Sequence, residues 1–192
     1  MVIKLRDDSK IPLKVLFYGK DKTGKSTRAC QYCKAKGLKP IVLDFDETNA
    51  TECPVIDLPM HTDSAAYNNI KQAIEDIKKA PEYDTIILDN VMTALTRITP
   101  PNDSTKFFRG RTERWETLMK KIRNSRLNVI LIGQIDMYVE DPGKEEKNNK
   151  TVVNLNAWVN EKYYCYKENG QFKCVSEVVR TFDSNEEVKK DG

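Results

Sequence analysis

The chain has 192 residues, enough for one well-filled core and short for two. Hydrophobic residues make up 39% of it and charged residues 32%, which excludes both a disordered chain and a membrane-embedded one. With 32 basic and 29 acidic residues the net charge is only +3, so any nucleic-acid surface has to be a local cluster.

Lys14–Tyr18 reads as a short buried strand, and Gly24–Lys36 as a helix stopped at Gly37. Ile41–Asp44 is a second strand ending in acids, and Pro54–Leu58 is a candidate third. Ser64–Lys79 carries Ile70, Ala73, Ile74 and Ile77 at the spacing of an amphipathic helix. Thr85–Asp89 is a strand with a wholly apolar interior and a terminal acid. Arg111–Arg123 is a helix burying Trp115, Leu118, Met119 and Ile122, and Asn128–Gly133 is another apolar strand. Strands without alternation, separated by helices, predict a parallel sheet covered on both faces.

The last third differs. Asn160–Lys167 and Gln171–Thr181 are β-rich and meet at Asn169–Gly170, a type I′ hairpin signal. A two-residue turn there pairs Glu168 with Gln171, Lys167 with Phe172, Tyr166 with Lys173 and Cys165 with Cys174, the last pair within disulfide reach. The expected organisation is one α/β domain over residues 1–183, its mainly parallel sheet extended by an antiparallel hairpin. A polar tail over 184–192 follows.

The sharpest motif is Gly19-Lys20-Asp21-Lys22-Thr23-Gly24-Lys25-Ser26, which fits G-x-x-x-x-G-K-[ST] between a strand and a helix. Two glycines allow consecutive N–H groups to point inward at a helix N-terminus and form an anion nest. Lys25 then supplies charge to the β- and γ-phosphates of ATP, Ser26 a hydroxyl to Mg²⁺, and Thr27 extends the contact into the helix. Asp89, ending its apolar strand, is the expected Mg²⁺ carboxylate, with a helix cap as the competing role. Hydrolysis needs a group that orients water, and the acidic turn after the second strand offers Asp44, Asp46 and Glu47. Glu47 is favoured and Asp46 is the alternative, against a merely solvated turn. Gln134, just past the Asn128–Gly133 strand, is placed to touch the γ-phosphate.

Together these segments resemble the RecA-like ATPases over roughly Leu13–Phe182. The resemblance runs through Tyr18–Ser26 as phosphate loop, Ile41–Glu47 as the strand with the catalytic acid, and Ile86–Leu95 as the Mg²⁺ strand. It continues through Gly133–Met137, where that family has a γ-phosphate-sensing Gln leading into a DNA-binding loop. The short length is similar to the phage-type relatives, AAA-type nucleotide-binding proteins that include RecA-like single-strand annealing proteins. The register of the family's acid falls on Asp46, one residue before Glu47.

The resemblance implies ATP hydrolysis acting on single-stranded DNA in recombination or replication, in a homo-oligomer and alongside a single-strand binding protein. Its first DNA-facing loop corresponds to Arg97–Arg111, with Arg97, Lys106, Phe107, Phe108, Arg109 and Arg111. Cations beside adjacent rings suit single strands, whereas packing of the two rings on the core is the equal alternative. The second is Glu140–Lys150, with Lys144, Lys147 and Lys150. Arg180 matches a cation presented to a neighbouring subunit's nucleotide, or is a surface strand arginine. A P-loop kinase of small molecules and a nucleotide-binding regulator with little turnover are the competing functions.

Five scattered cysteines suggest reduced thiols in a cytoplasmic protein. Cys30 and Cys33 have C-x-x-C spacing without a second pair, so buried thiols are expected and a zinc site is not. Oxidation should link Cys165 to Cys174 in preference to Cys30, Cys33 or Cys53. The sole histidine, His61, has no ligating cluster; Trp115 is expected in the core and Trp158 at the sheet edge. Met1–Lys10 has no apolar run behind its charges, and no stretch approaches the roughly 18–20 apolar residues of a membrane helix.

Overall fold

The structure, a computed structural model, describes residues 11–47, 52–56, 58, 63–99, 107–134 and 155–179. Seven strands build one sheet: β1 (Lys14–Gly19), β2 (Pro40–Asp44), β3 (Val55–Ile56), β4 (Thr85–Asp89), β5 (Asn128–Gln134), β6 (Glu161–Glu168) and β7 (Gln171–Val179), in the order β3-β2-β4-β5-β1-β6-β7. All neighbours run parallel except β6 and β7, which form the expected hairpin.

The strands lack alternation because both faces are covered. On one face, α1 (Lys25–Ala35) lays Ala29, Cys30 and Cys33 against Val15, Phe17, Val42, Ile87, Ile130 and Ile132. On the other, α2 (Asp63–Lys79), α3 (Val91–Arg97) and α4 (Phe107–Ser125) cover Leu16, Ile41, Leu43, Ile86, Leu88, Val129 and Leu131. Ile70, Ala73, Ile74 and Ile77 of α2 and Trp115, Leu118, Met119 and Ile122 of α4 are all buried, as their spacing predicts.

Local signals set the ends of these elements. α1 stops where Gly37 turns left-handed (φ 66°), with Gly37 N–H on the Lys34 carbonyl and Leu38 N–H on the Cys33 carbonyl, the paired bonds of a Schellman cap. Asn169 and Gly170 both have positive φ (49° and 79°), as a type I′ turn requires. The observed register pairs Cys165 with Cys174 and Lys167 with Phe172, as derived from the turn. The Cys165 and Cys174 sulfurs lie 3.2 Å apart.

Three expectations are corrected. The segment Ile86–Leu95 is not all strand: β4 ends at Asp89, and Asn90 caps α3 by accepting the Thr93 N–H at 2.9 Å. α4 starts at Phe107, not Arg111, so the C-terminal part of Arg97–Arg111 is helix despite Gly110. Cys30 is not a free thiol: it forms a disulfide with Cys53, their Cα atoms 6.0 Å apart, tying α1 to the chain entering β3. Cys33 is buried and free. Trp158, on the short 3-10 helix Leu155–Trp158, packs against the core under the Arg123 guanidinium, 4.8 Å from its ring centroid. His61 and residues 184–192 lie outside the described residues.

Candidate nucleotide-binding and catalytic site

The carboxyl ends of β1, β2, β4 and β5 meet at one edge of the sheet, and the loop Gly19–Gly24 rises there between β1 and α1. Its two glycines are required for different reasons. A Cβ on Gly19 would sit 2.0 Å from the Cys165 carbonyl oxygen, so no side chain fits between β1 and β6. Gly24 is left-handed (φ 78°) at the N-cap of α1, and Lys22 also takes positive φ (57°). The Thr23 hydroxyl donates to the Lys20 carbonyl at 2.8 Å and braces the loop from within.

Lys25 is 9% exposed. Its ammonium donates to the carbonyls of Lys20 (2.7 Å) and Gly19 (3.3 Å), bridging the loop it would cover with phosphate. Burial pushes its pKa down, opposed by Asp21, Cys165, Asp89 and Asp46. Ser26 and Thr27 occupy the first turn of α1, both half-buried.

Facing them is a carboxylate cluster. Asp89 is 6% exposed. Burial raises its pKa to about 6, the Ser26 hydroxyl donates to it and lowers it, and Asp44 and Asp46 push it up again. Three acids against one nearby ammonium suit a divalent cation, which would relieve their repulsion. Mg²⁺ needs only one or two protein carboxylates when phosphate and water fill its other positions. Among the described residues, no group of three or more His, Cys, Asp or Glu side chains is arranged to hold a metal ion by itself.

Asp46 and Glu47 differ sharply. Asp46 is gripped through both oxygens: Asn90 Nδ2 donates to Oδ2 at 2.5 Å and the Thr93 hydroxyl donates to Oδ1. Its own N–H donates to Asp44 Oδ1 at 3.1 Å. Glu47, exposed like Asp46, has positive φ (55°) and makes no such contact among the described residues. Gln134 is the last residue of β5, and its Nε2 donates to Asp21 Oδ1 at 2.9 Å, tying the end of β5 to the phosphate loop.

The residues considered for DNA divide. Arg97 is half-buried at the C-terminal end of α3. Arg111 is buried within α4, and burial pushes its pKa down, so its surroundings are those of a packed side chain. Phe107, Phe108 and Arg109 open α4, but their side chains lie outside the described residues, as do Lys106, Glu140–Lys150 and Arg180. Among the described residues, no helix is long and apolar enough to cross a membrane.

Two contacts of the candidate site were missed in the sequence. Asn90 and Thr93 carry only a helix-cap signal, an Asn three residues before its N–H donor. The partner that Asp21 finds in Gln134 is 113 residues away and leaves no local trace.

A phosphate loop on β1, acids ending β2 and β4, and a Gln ending β5 define a P-loop nucleotide-binding domain with a RecA-like α/β fold. The chain belongs to the AAA domain family, whose model matches residues 11–183. It is similar in structure to the KaiC-like protein PH0186 of the hyperthermophilic archaeon Pyrococcus horikoshii OT3, with 14% identity and a TM-score of 0.54 over 88% of this chain and 80% of that one. A weaker likeness, TM-score 0.49 at 14% identity, links it to the RadB recombinase over 88% of this chain and 81% of that one. At such identities the likeness concerns the fold alone. No curated protein matches the chain.

Proposed function

We propose that this chain hydrolyses ATP in a Mg²⁺-dependent reaction, with Asp46 as the residue that orients and deprotonates the attacking water. The observation that carries the reading is the grip on Asp46. A carboxylate fixed by Asn90 and Thr93 beside the phosphate loop is preorganised, and a residue placed to accept a proton contributes typically 10²–10⁴-fold. Glu47 has no comparable support among the described residues.

Each side chain has a part to play. The inward N–H groups of the loop and the helix N-terminus hold the phosphates, and Lys25 leaves its backbone carbonyls to neutralise the β- and γ-oxygens. Ser26 and Asp89 would hold Mg²⁺, which supplies charge neutralisation on the phosphate oxygens. Gln134 would exchange Asp21 for the γ-phosphate, so the end of β5 reports whether that group is present. A kinase reading has less support, because the segment after Gln134 is rich in Lys and Glu and has no Arg before Arg180 to hold a phosphate acceptor.

Single-stranded DNA is the proposed effector, supported by the resemblance of the phosphate-loop and Gln segments to RecA-like ATPases. The same resemblance is the basis for a homo-oligomer and a single-strand binding protein as partners. The test is ATP hydrolysis by the full chain with Mg²⁺, with and without single-stranded DNA. Turnover that rises with DNA supports both parts; turnover indifferent to DNA removes the effector; no turnover in either condition leaves a nucleotide-binding regulator.

A further inference from the structure

The strand order gives the phosphate loop two unlike flanks. On one side of β1 lie β5 and β4, ending in Gln134 and Asp89, and β2, which leads into Asp46; on the other lie β6 and β7. A γ-phosphate must face the acids and the Gln. The α-phosphate and the nucleoside therefore run the opposite way, across the N-terminus of α1 toward the hairpin.

That flank holds an aromatic ring that the core does not use. Phe172, second residue of β7, is 48% exposed. Its ring carbons lie 3.5 Å from where a Cβ on Gly24 would sit, which puts it directly against the phosphate loop. The backbone carrying it is pinned: Arg28 Nη2, one turn into α1, donates to the Phe172 carbonyl at 3.0 Å, while Nη1 donates to Gln31 Oε1 at 3.0 Å. The ladder pairs Phe172 with Lys167, whose ammonium lies 5.4 Å from the ring centroid and brings positive charge to the same spot. An apolar ring half open to water, held beside a polar loop by a guanidinium from the nucleotide-binding helix, is a platform that a base would take over from the Lys167 ammonium.

We propose that Phe172 is the stacking platform for the nucleobase of the bound nucleoside triphosphate, held in place by Arg28. The proposal rests on the reading of the Gly19–Ser26 loop as a triphosphate site and adds its nucleoside end. Stacking tolerates different bases because each has a π-face, so the platform serves adenine and guanine alike and contributes affinity more than choice.

The test compares ATP, GTP and inorganic tripolyphosphate binding to the full chain by titration calorimetry, in wild type, Phe172→Ala and Phe172→Trp. Stacking measured by alanine substitution predicts that Phe172→Ala weakens ATP and GTP by roughly tenfold or more. Tripolyphosphate, which has no base, should change less than about twofold, and Phe172→Trp should restore both nucleotides. Two results would overturn the platform: nucleotide affinity unmoved by Phe172→Ala, or nucleotides and tripolyphosphate weakened alike, which would make Phe172 a prop for Gly24. Wild-type protein that binds none of the three would defeat the triphosphate reading and the platform with it. Tripolyphosphate binding without dependence of ATP on Phe172 would defeat the platform alone.

Discussion

Replacing Asp89 by Asn separates what this carboxylate costs the ligand-free fold from what it contributes to nucleotide binding. Asp89 is 6% exposed and titrates at about 6, against 3.8 for a freely hydrated Asp, because burial and the neighbouring Asp44 and Asp46 disfavour its charge. At about 1.36 kcal/mol per pH unit, that difference costs about 3 kcal/mol of folding stability at neutral pH. The folded chain holds this proton more tightly than the unfolded chain does. Stability is therefore undiminished below about pH 4, falls as pH rises toward 6, and stays lowered above it. Asn keeps an oxygen to accept from Ser26 and carries no charge, so Asp89→Asn should stabilise the ligand-free protein by about 1–3 kcal/mol at pH 7.5 and leave it nearly unchanged at pH 4. Urea unfolding followed by circular dichroism at both pH values measures this. With Mg²⁺ and ATP present the order should reverse, since only wild type gains the full linkage stabilisation of a tight complex. An Asp89→Asn protein with the same pH dependence as wild type between 4 and 6 would refute the electrostatic account of the cluster.

Asp46→Asn should slow single-turnover ATP hydrolysis by about 10²–10⁴-fold with ATP affinity little changed, and Glu47→Gln by far less; the reverse order would reassign the acid. Gly19→Ala forces a methyl into the Cys165 carbonyl, so it should cost about 1–3 kcal/mol in urea unfolding and open the β1–β6 seam. Arg111→Ala should lower stability without altering the salt slope of single-strand binding, whereas Arg97→Ala should flatten that slope while leaving the unfolding midpoint near wild type. Peptide mapping without reductant should find Cys30 linked to Cys53, and mild oxidation should add a Cys165–Cys174 link that leaves Cys33 free.

The parallel core was legible because strands buried on both faces read as continuous apolar runs, and the phosphate loop because its glycines and Lys25-Ser26 sit between such a strand and a helix. The hairpin register followed from two residues, Asn169 and Gly170, since a two-residue turn fixes the pairs behind it as far as Tyr163 and Ser176, where a bulge shifts the ladder. A helix after Asp89 was weighed only as something Asp89 might cap; its seven residues behind a buried strand prolong the same apolar run, and the residue that caps it is Asn90. The start of α4 was misjudged because Gly110 and the charges around it read as loop, while burial of Arg111, Trp115 and Leu118 favours helix. The Cys30–Cys53 link and the Gln134–Asp21 bond join positions far apart in sequence, and only the packed sheet brings them together. The different surroundings of Asp46 and Glu47 had the same origin: adjacent acids look alike until Asn90 and Thr93 close on one of them.

The strand order also shapes how the chain emerges from a ribosome. β1 is made first, yet its two ladder partners are β5 and β6, beginning at Asn128 and Glu161. At about 5–20 residues per second, the strand that ends in the phosphate loop spends roughly 6–20 s as an unpaired apolar segment before its first neighbour exists. During that interval β2 and β4 can pair with each other, leaving a half-sheet with an open edge where β5 will dock. The nucleotide loop is thus completed late in synthesis although it is encoded near the start. A truncated chain ending before Asn128 should accordingly bind holdase chaperones and fail to retain ATP.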